Sequence, residues 1–259
     1  MLVWLCTANH IPTPRELANL SWAISSALLF AGTYWVLYAS LEPFVRRLWP
    51  QSMITWSRVL GGAVRDPLVG AHLLVGVASG VGFSLFFRLR NLALERTGVI
   101  DTTSPLAVAL PSVLDARHVA SVLLLDVEGA IGFAMGWFLV FFLLRALLKQ
   151  QWLAAAVIVL LGAGGGLVVL QQPPIAVLFV TTGFALSIFI LLRFGVLLVV
   201  AQMFVVAVLT NSPMTIDFST WYASSTMLAL TVVLALAAYA FHTAVAGRPL
   251  FRTGFLETD

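Results

Sequence analysis

The stretch 152–209, WLAAAVIVLLGAGGGLVVLQQPPIAVLFVTTGFALSIFILLRFGVLLVVAQMFVVAVL, holds a single charged side chain, Arg193. Neither 152–170 nor 175–192 alternates apolar with polar residues, as the strands of a membrane barrel would. Runs of this kind suit helices that cross a hydrocarbon core of about 30 Å, which takes about 20 apolar residues. The part 175–209 is too long for one crossing at a rise of about 1.5 Å per residue. Arg193-Phe194-Gly195 divides it into two.

The rest of the chain has the same texture. Hydrophobic residues make up 61% of its 259 residues and charged ones 10%, where a soluble domain carries about a quarter. The mean hydropathy of +1.01 leaves no room for a sizeable water-soluble domain. The expected fold is all-α: one polytopic helical membrane bundle over 1–259, with about seven transmembrane helices and a cytoplasmic interfacial helix. The spans fall roughly at 20–41, 68–87, 126–148, 152–170, 175–192, 195–210 and 221–242. A single cysteine, Cys6, excludes a disulfide framework, and the four histidines are scattered without HxxxH or HExxH spacing. No cofactor is expected, and the net charge of +3 bears on topology rather than on nucleic acid.

Boundary residues sharpen this map. Thr13-Pro14-Arg15-Glu16 reads as a helix start, with Thr13 as N-cap and Glu16 reaching back. Glu42-Pro43 is expected to end the first span. The residues 44–65 form the most polar stretch, and within it 52–61 reads as a short amphipathic helix. Met53, Trp56, Val59 and Leu60 share one face, Arg58 points away and Gly61-Gly62 stops the helix. Arg46, Arg47, Trp49, Trp56, Arg58 and Arg65 then form a candidate interfacial site for the bilayer and its anionic lipid headgroups. Asp66-Pro67 caps the next helix, and 112–149 is one long helix whose first part lies at the interface.

Charge asymmetry gives an orientation. Arg46, Arg47, Arg58, Arg65, Arg145, Lys149, Arg193, Arg248 and Arg252 fall on one side, and Arg15, Arg88, Arg90, Arg96 and Arg117 on the other. Nine against five puts the first group and the C-terminus in the cytoplasm.

Three charged residues are candidates for intramembrane chemistry. Asp126 and Glu128 stand where apolar residues dominate, and a carboxylate at bilayer depth is costly unless paired or wet. Two residues apart on a helix they are separated by about 200°, so they do not share one ligand simply. A span starting near Gly129 would leave both at the interface, which is the expectation favoured here. Arg193 fits a connection between two short helices better than a buried counter-charge. The pairs Gly76/Gly80, Gly132/Gly136 and Gly162/Gly166 allow close helix packing. Asn211, Asp217 and Ser219 read as cap and turn chemistry. Serine, paired-aspartate and metal signatures of membrane proteases are missing, as are Walker and other nucleotide-binding glycine loops, so no catalytic residue is expected.

Several pieces carry a resemblance: Leu41-Glu42-Pro43-Phe44-Val45-Arg46-Arg47-Leu48-Trp49-Pro50, Ile54-Thr55-Trp56-Ser57-Arg58, Arg65-Asp66-Pro67-Leu68-Val69-Gly70 and Ala246-Gly247-Arg248-Pro249-Leu250-Phe251, with His10-Ile11-Pro12 near the start. Together they resemble the multi-pass membrane region that follows the catalytic domain in a group of bacterial serine/threonine protein kinases. The resemblance runs over nearly the whole chain, and the Glu-Pro, Arg-Arg, Trp-Pro and Arg-Asp-Pro-Leu-Val-Gly pieces are its specific part. It implies a non-catalytic membrane anchor, with a sensory role open to it, in the bacterial inner membrane. The kinase domain would be fused or adjacent, and a further helix would precede residue 1. That last point agrees with 1–6, which reads as the tail of a longer apolar helix. A small multi-pass transporter or channel is the alternative.

Overall fold

Long apolar runs with few internal prolines favour helices that span a membrane, and three of the helices open with a proline, Pro14, Pro67 and Pro174, of which Pro67 follows an aspartate. The computed structural model describes residues 2–7, 14–48, 54–97, 116–165 and 173–245, with side chains at 7, 41–48 and 116 outside the description. Every regular element among them is helical: α1 (Leu2–Thr7), α2 (Pro14–Leu48), α3 (Ile54–Leu60), α4 (Pro67–Arg96), α5 (Ala116–Leu148), α6 (Gln151–Gly164), α7 (Pro174–Phe194), α8 (Val196–Asn211) and α9 (Ala223–Val245). The chain is thus an all-helical membrane protein.

Five helical stretches are long and apolar enough to cross a membrane: Pro14–Ser40, Pro67–Arg96, Arg117–Leu148, Pro174–Phe194 and Ala223–Val245. Two shorter apolar helices, α6 and α8, complete the set read from the sequence. At 14 and 16 residues they measure about 21 and 24 Å, less than the hydrocarbon thickness. The expected continuation of α6 through 166–170 lies outside the described residues, as do Trp49, Met53 and the tail from 246.

The helix α8 can be short because protein rather than lipid surrounds it. It packs against α4, α5, α7, α9 and α3, and Val196, Leu197, Leu198, Val199, Ala201, Gln202, Val205, Val208 and Leu209 are all buried. A helix that is apolar around its whole circumference belongs inside a bundle, and this one forms its centre.

Glycine sets how closely α8 is held. A methyl group on Gly76 would come within 2.6 Å of the Ala201 Cβ and 2.9 Å of the Leu198 carbonyl, and one on Gly80 within 2.7 Å of the Val205 Cβ. The rising pairs Gly76–Leu198 and Gly80–Gln202 also show that α4 and α8 run in the same direction. In a lipid environment helix association depends on such close contact, because lipid tails are as apolar as leucine. Gly70 meets the Thr243–Ala244 backbone of α9 just as closely, and Val77 clusters with Ala229 and Val233, so α9 runs antiparallel to α4. The second GxxxG pair behaves differently. Gly132 faces the Tyr34 hydroxyl, while Gly136 opens onto a recess of about 240 Å³.

Two apolar clusters stack along the bundle. One, with Trp56, Val69, Phe138, Phe141, Ile158, Leu191 and Val196, lies towards the end that carries α3, and Tyr38 packs on it. The other, with Val77, Val205, Val208, Leu209, Ala229 and Val233, lies towards the opposite end. The connections after α3, α5 and α7 therefore share one end, and the 212–222 loop lies at the other.

The apolar span of α2 stops at Ser40, ahead of Glu42-Pro43, but the helix itself runs on to Leu48. A proline removes one backbone donor and bends a helix without having to end it. Arg46 and Arg47 consequently fall in the last turn of α2, rather than in a loop.

Candidate functional site

The short helix α3 forms from Ile-Thr-Trp-Ser-Arg-Val-Leu and is halted by Gly61 and Gly62, the latter at φ 83°. Its Arg58 guanidinium donates to Asp66 Oδ2 at 2.7 Å. Asp66 Oδ1 accepts from the Leu68 backbone N–H at 2.8 Å, which makes Asp66 the N-cap of α4 with Pro67 next to it. That backbone donor, aided by Arg58, holds the Asp66 carboxyl below the usual carboxylate range. The loop is tied to the bundle by the Tyr239 hydroxyl, which donates to the Val64 carbonyl at 2.9 Å.

The expected apolar face of this helix divides. Trp56 is 8% exposed and belongs to the core, with an indole N–H that is buried without a hydrogen-bond partner. Val59 packs against the same cluster, whereas Leu60 is 57% exposed. Thr55 is buried and lies 3.2 Å from Nδ1 of His72, whose ring stands edge-on to Phe194. The helix is therefore anchored through Trp56 in the protein, with Arg58 and Arg65 on the outside of the same end. Arg193 also lies at this end. It occupies the last turn of α7 rather than a loop, is exposed, and stacks over the Phe194 ring at 5.7 Å. A cation at a helix C-terminus is favourably placed.

Asp126 is held by protein rather than by solvent. It is 5% exposed, inside the bundle near the opposite end. Its Oδ1 accepts from the Asn211 amide at 2.6 Å, and its Oδ2 is buried without a partner. Asn211 is the last residue of α8, so it is a partner of the carboxylate in addition to any capping part. Two residues earlier the Leu209 carbonyl accepts from the Arg88 guanidinium at 3.3 Å. Four elements of one polar assembly, Arg88, Asp126, Leu209 and Asn211, thus come from α4, α5 and α8. Glu128 does not join them. It lies partly exposed on another face of α5, within electrostatic reach of Tyr34 of α2.

Sequence reasoning missed Gln202, which is 0% exposed at the centre of α8. Its Nε2 donates to Ser187 Oγ at 3.4 Å, and its Oε1 has no partner. The available signal was one amide inside the otherwise apolar run 196–209. Asp217 behaves as expected: its Oδ1 accepts from the Ser219 hydroxyl at 2.7 Å and backbone N–H at 2.9 Å, which lowers its carboxyl below the usual range. No group of three metal-ligating side chains stands together among the described residues. Comparison with protein-family profiles, curated proteins and solved structures finds no match to the chain.

Proposed function

We propose that the chain is a non-catalytic membrane anchor of a bacterial serine/threonine protein kinase, fused or adjacent, seated in the inner membrane with its C-terminus in the cytoplasm. What supports this reading is that the resembling pieces 41–48, 54–58 and 65–70 gather at one end of the bundle. The Trp56 side chain and the Tyr239–Val64 hydrogen bond fasten the arginine-bearing turn there, and Tyr38 brings the last part of α2 to the same cluster. A rigid basic platform of this kind suits anionic headgroups, and it gives a neighbouring catalytic domain a fixed surface. Reading the coding sequence on both sides of this chain tests the proposal. A kinase frame joined or adjacent is the expected result, and a transporter operon without one would contradict it.

One observation favours the second reading, a small transporter or channel. Asp126 and Gln202 place unpaired polar oxygens inside the bundle, where polar groups mark solute paths in many membrane proteins. Flux into liposomes should then fall in Asp126→Asn, while Glu128→Gln and Arg193→Gln, whose side chains lie outside the core, leave it unchanged. Equal flux in all variants removes this reading.

A further inference from the structure

The last carbonyls of a helix carry the negative end of its dipole, roughly half an elementary charge. The helix α8 ends at Asn211 with an extended residue, Ser212, beyond it, and its last turn holds no basic side chain. A carboxylate is electrostatically misplaced at such an end. Asp126 of α5 nevertheless stands there, 5% exposed, with one oxygen held by Asn211 and the other buried and unpaired. Arg88 of α4 donates to the Leu209 carbonyl, and no hydrogen bond from it reaches Asp126 Oδ2. A buried anion beside a negative dipole end is stable only if positive charge reaches it.

We propose that Asp126, against the C-terminus of α8, is a binding site for one small positive charge, a proton or a sodium-sized monovalent cation. A divalent ion is disfavoured, because it takes several oxygen ligands with more than one carboxylate and no cluster of acidic side chains surrounds Asp126 among the described residues. Half-helix C-termini paired with a carboxylate are a known way to hold sodium or protons in membranes. The other titratable and charged groups towards this end of the bundle include Arg88, Arg90, Glu95 and Arg96 of α4, Arg117, His118 and Glu128 of α5, Cys6 of α1, and Asp217 of the 212–222 loop. None of them donates a hydrogen bond to Asp126 Oδ2. The site depends on neither the kinase nor the transporter reading, since a bound charge can serve solely to hold α5 against α8.

The test uses the full chain in lipid nanodiscs. Thermal unfolding is followed in sodium chloride and in N-methyl-D-glucamine chloride at equal ionic strength, across a pH series. A sodium ion at ten times its dissociation constant raises the midpoint by about 3–6 °C, and a proton gives the same rise on acidification without sodium. Asp126→Asn keeps the shape of the site and loses either response. In parallel, if the ligand is a proton, the infrared carbonyl band of a neutral carboxylic acid appears in the wild type near neutral pH and is missing in Asp126→Asn. A wild-type midpoint indifferent to sodium and showing no such band, or an identical response in Asp126→Asn, overturns the proposal.

Discussion

Asp66 performs three tasks with two oxygens: it caps α4, pairs with Arg58 and closes the turn that α3 leaves open. Its carboxyl is held below the usual value, so its stabilising effect is present above the ordinary carboxylate value of 3.8 and is lost as pH falls through its lowered value. Acidification should therefore loosen the 61–66 turn, and the protection factor of the Leu68 amide, its exchange rate corrected for the intrinsic pH dependence, should fall in step. Asp66→Ala should show that lowered protection at neutral pH, whereas Asp66→Asn, which still caps, should lie between. Trp56 gives a second prediction. Trp56→Phe keeps a ring in the core and removes the unpaired N–H, so the unfolding free energy should change little. Trp56→Ala should cost about 3–5 kcal/mol. The inward position of Trp56 was not legible from the amphipathic pattern, because lipid and protein core ask for the same apolar face. The pairing of Asp126 with Asn211 was hidden for another reason: 85 positions separate them, and only the packing of α5 on α8 joins them.

Among the helices, the α7–α8 hairpin was the most legible. Arg193-Phe194-Gly195 interrupts a run too long for one crossing, and Gly195 adopts φ 90°, ψ −174°, a conformation essentially restricted to glycine. Gly195→Ala should cost about 1–3 kcal/mol, measured by denaturant unfolding in micelles. The glycine pairs were legible as packing signals but not as to which of them pack. Gly76 and Gly80 abut α8, and a larger residue there is predicted to be destabilising by about 1–3 kcal/mol. Gly136→Ala meets nothing within 4 Å and should be tolerated. Equal effects at Gly80 and Gly136 would contradict the described helix contacts. Glu42-Pro43 marks the end of the apolar span of α2 but not of its helix, whose backbone continues to Leu48.

For the molecule as a unit, composition alone carried the fold class, since 61% hydrophobic residues cannot be covered by 10% charged ones in water. Individual spans were harder to bound. Hydropathy cannot separate a helix bathed in lipid from one wrapped in protein, and α8 is the second kind, nine of its residues buried over a length of about 24 Å. The direction of the helices follows from their contacts, and it assigns the arginine-rich turn and the 212–222 loop to opposite ends. Membrane-impermeant maleimide labelling of intact cells tests this most directly, with single cysteines placed by Gly62→Cys, Lys149→Cys or Ser219→Cys in a Cys6→Ser background. The account predicts labelling of the 219 variant from outside and of the 62 and 149 variants only after lysis. Labelling of the 62 and 219 variants from the same side would contradict it.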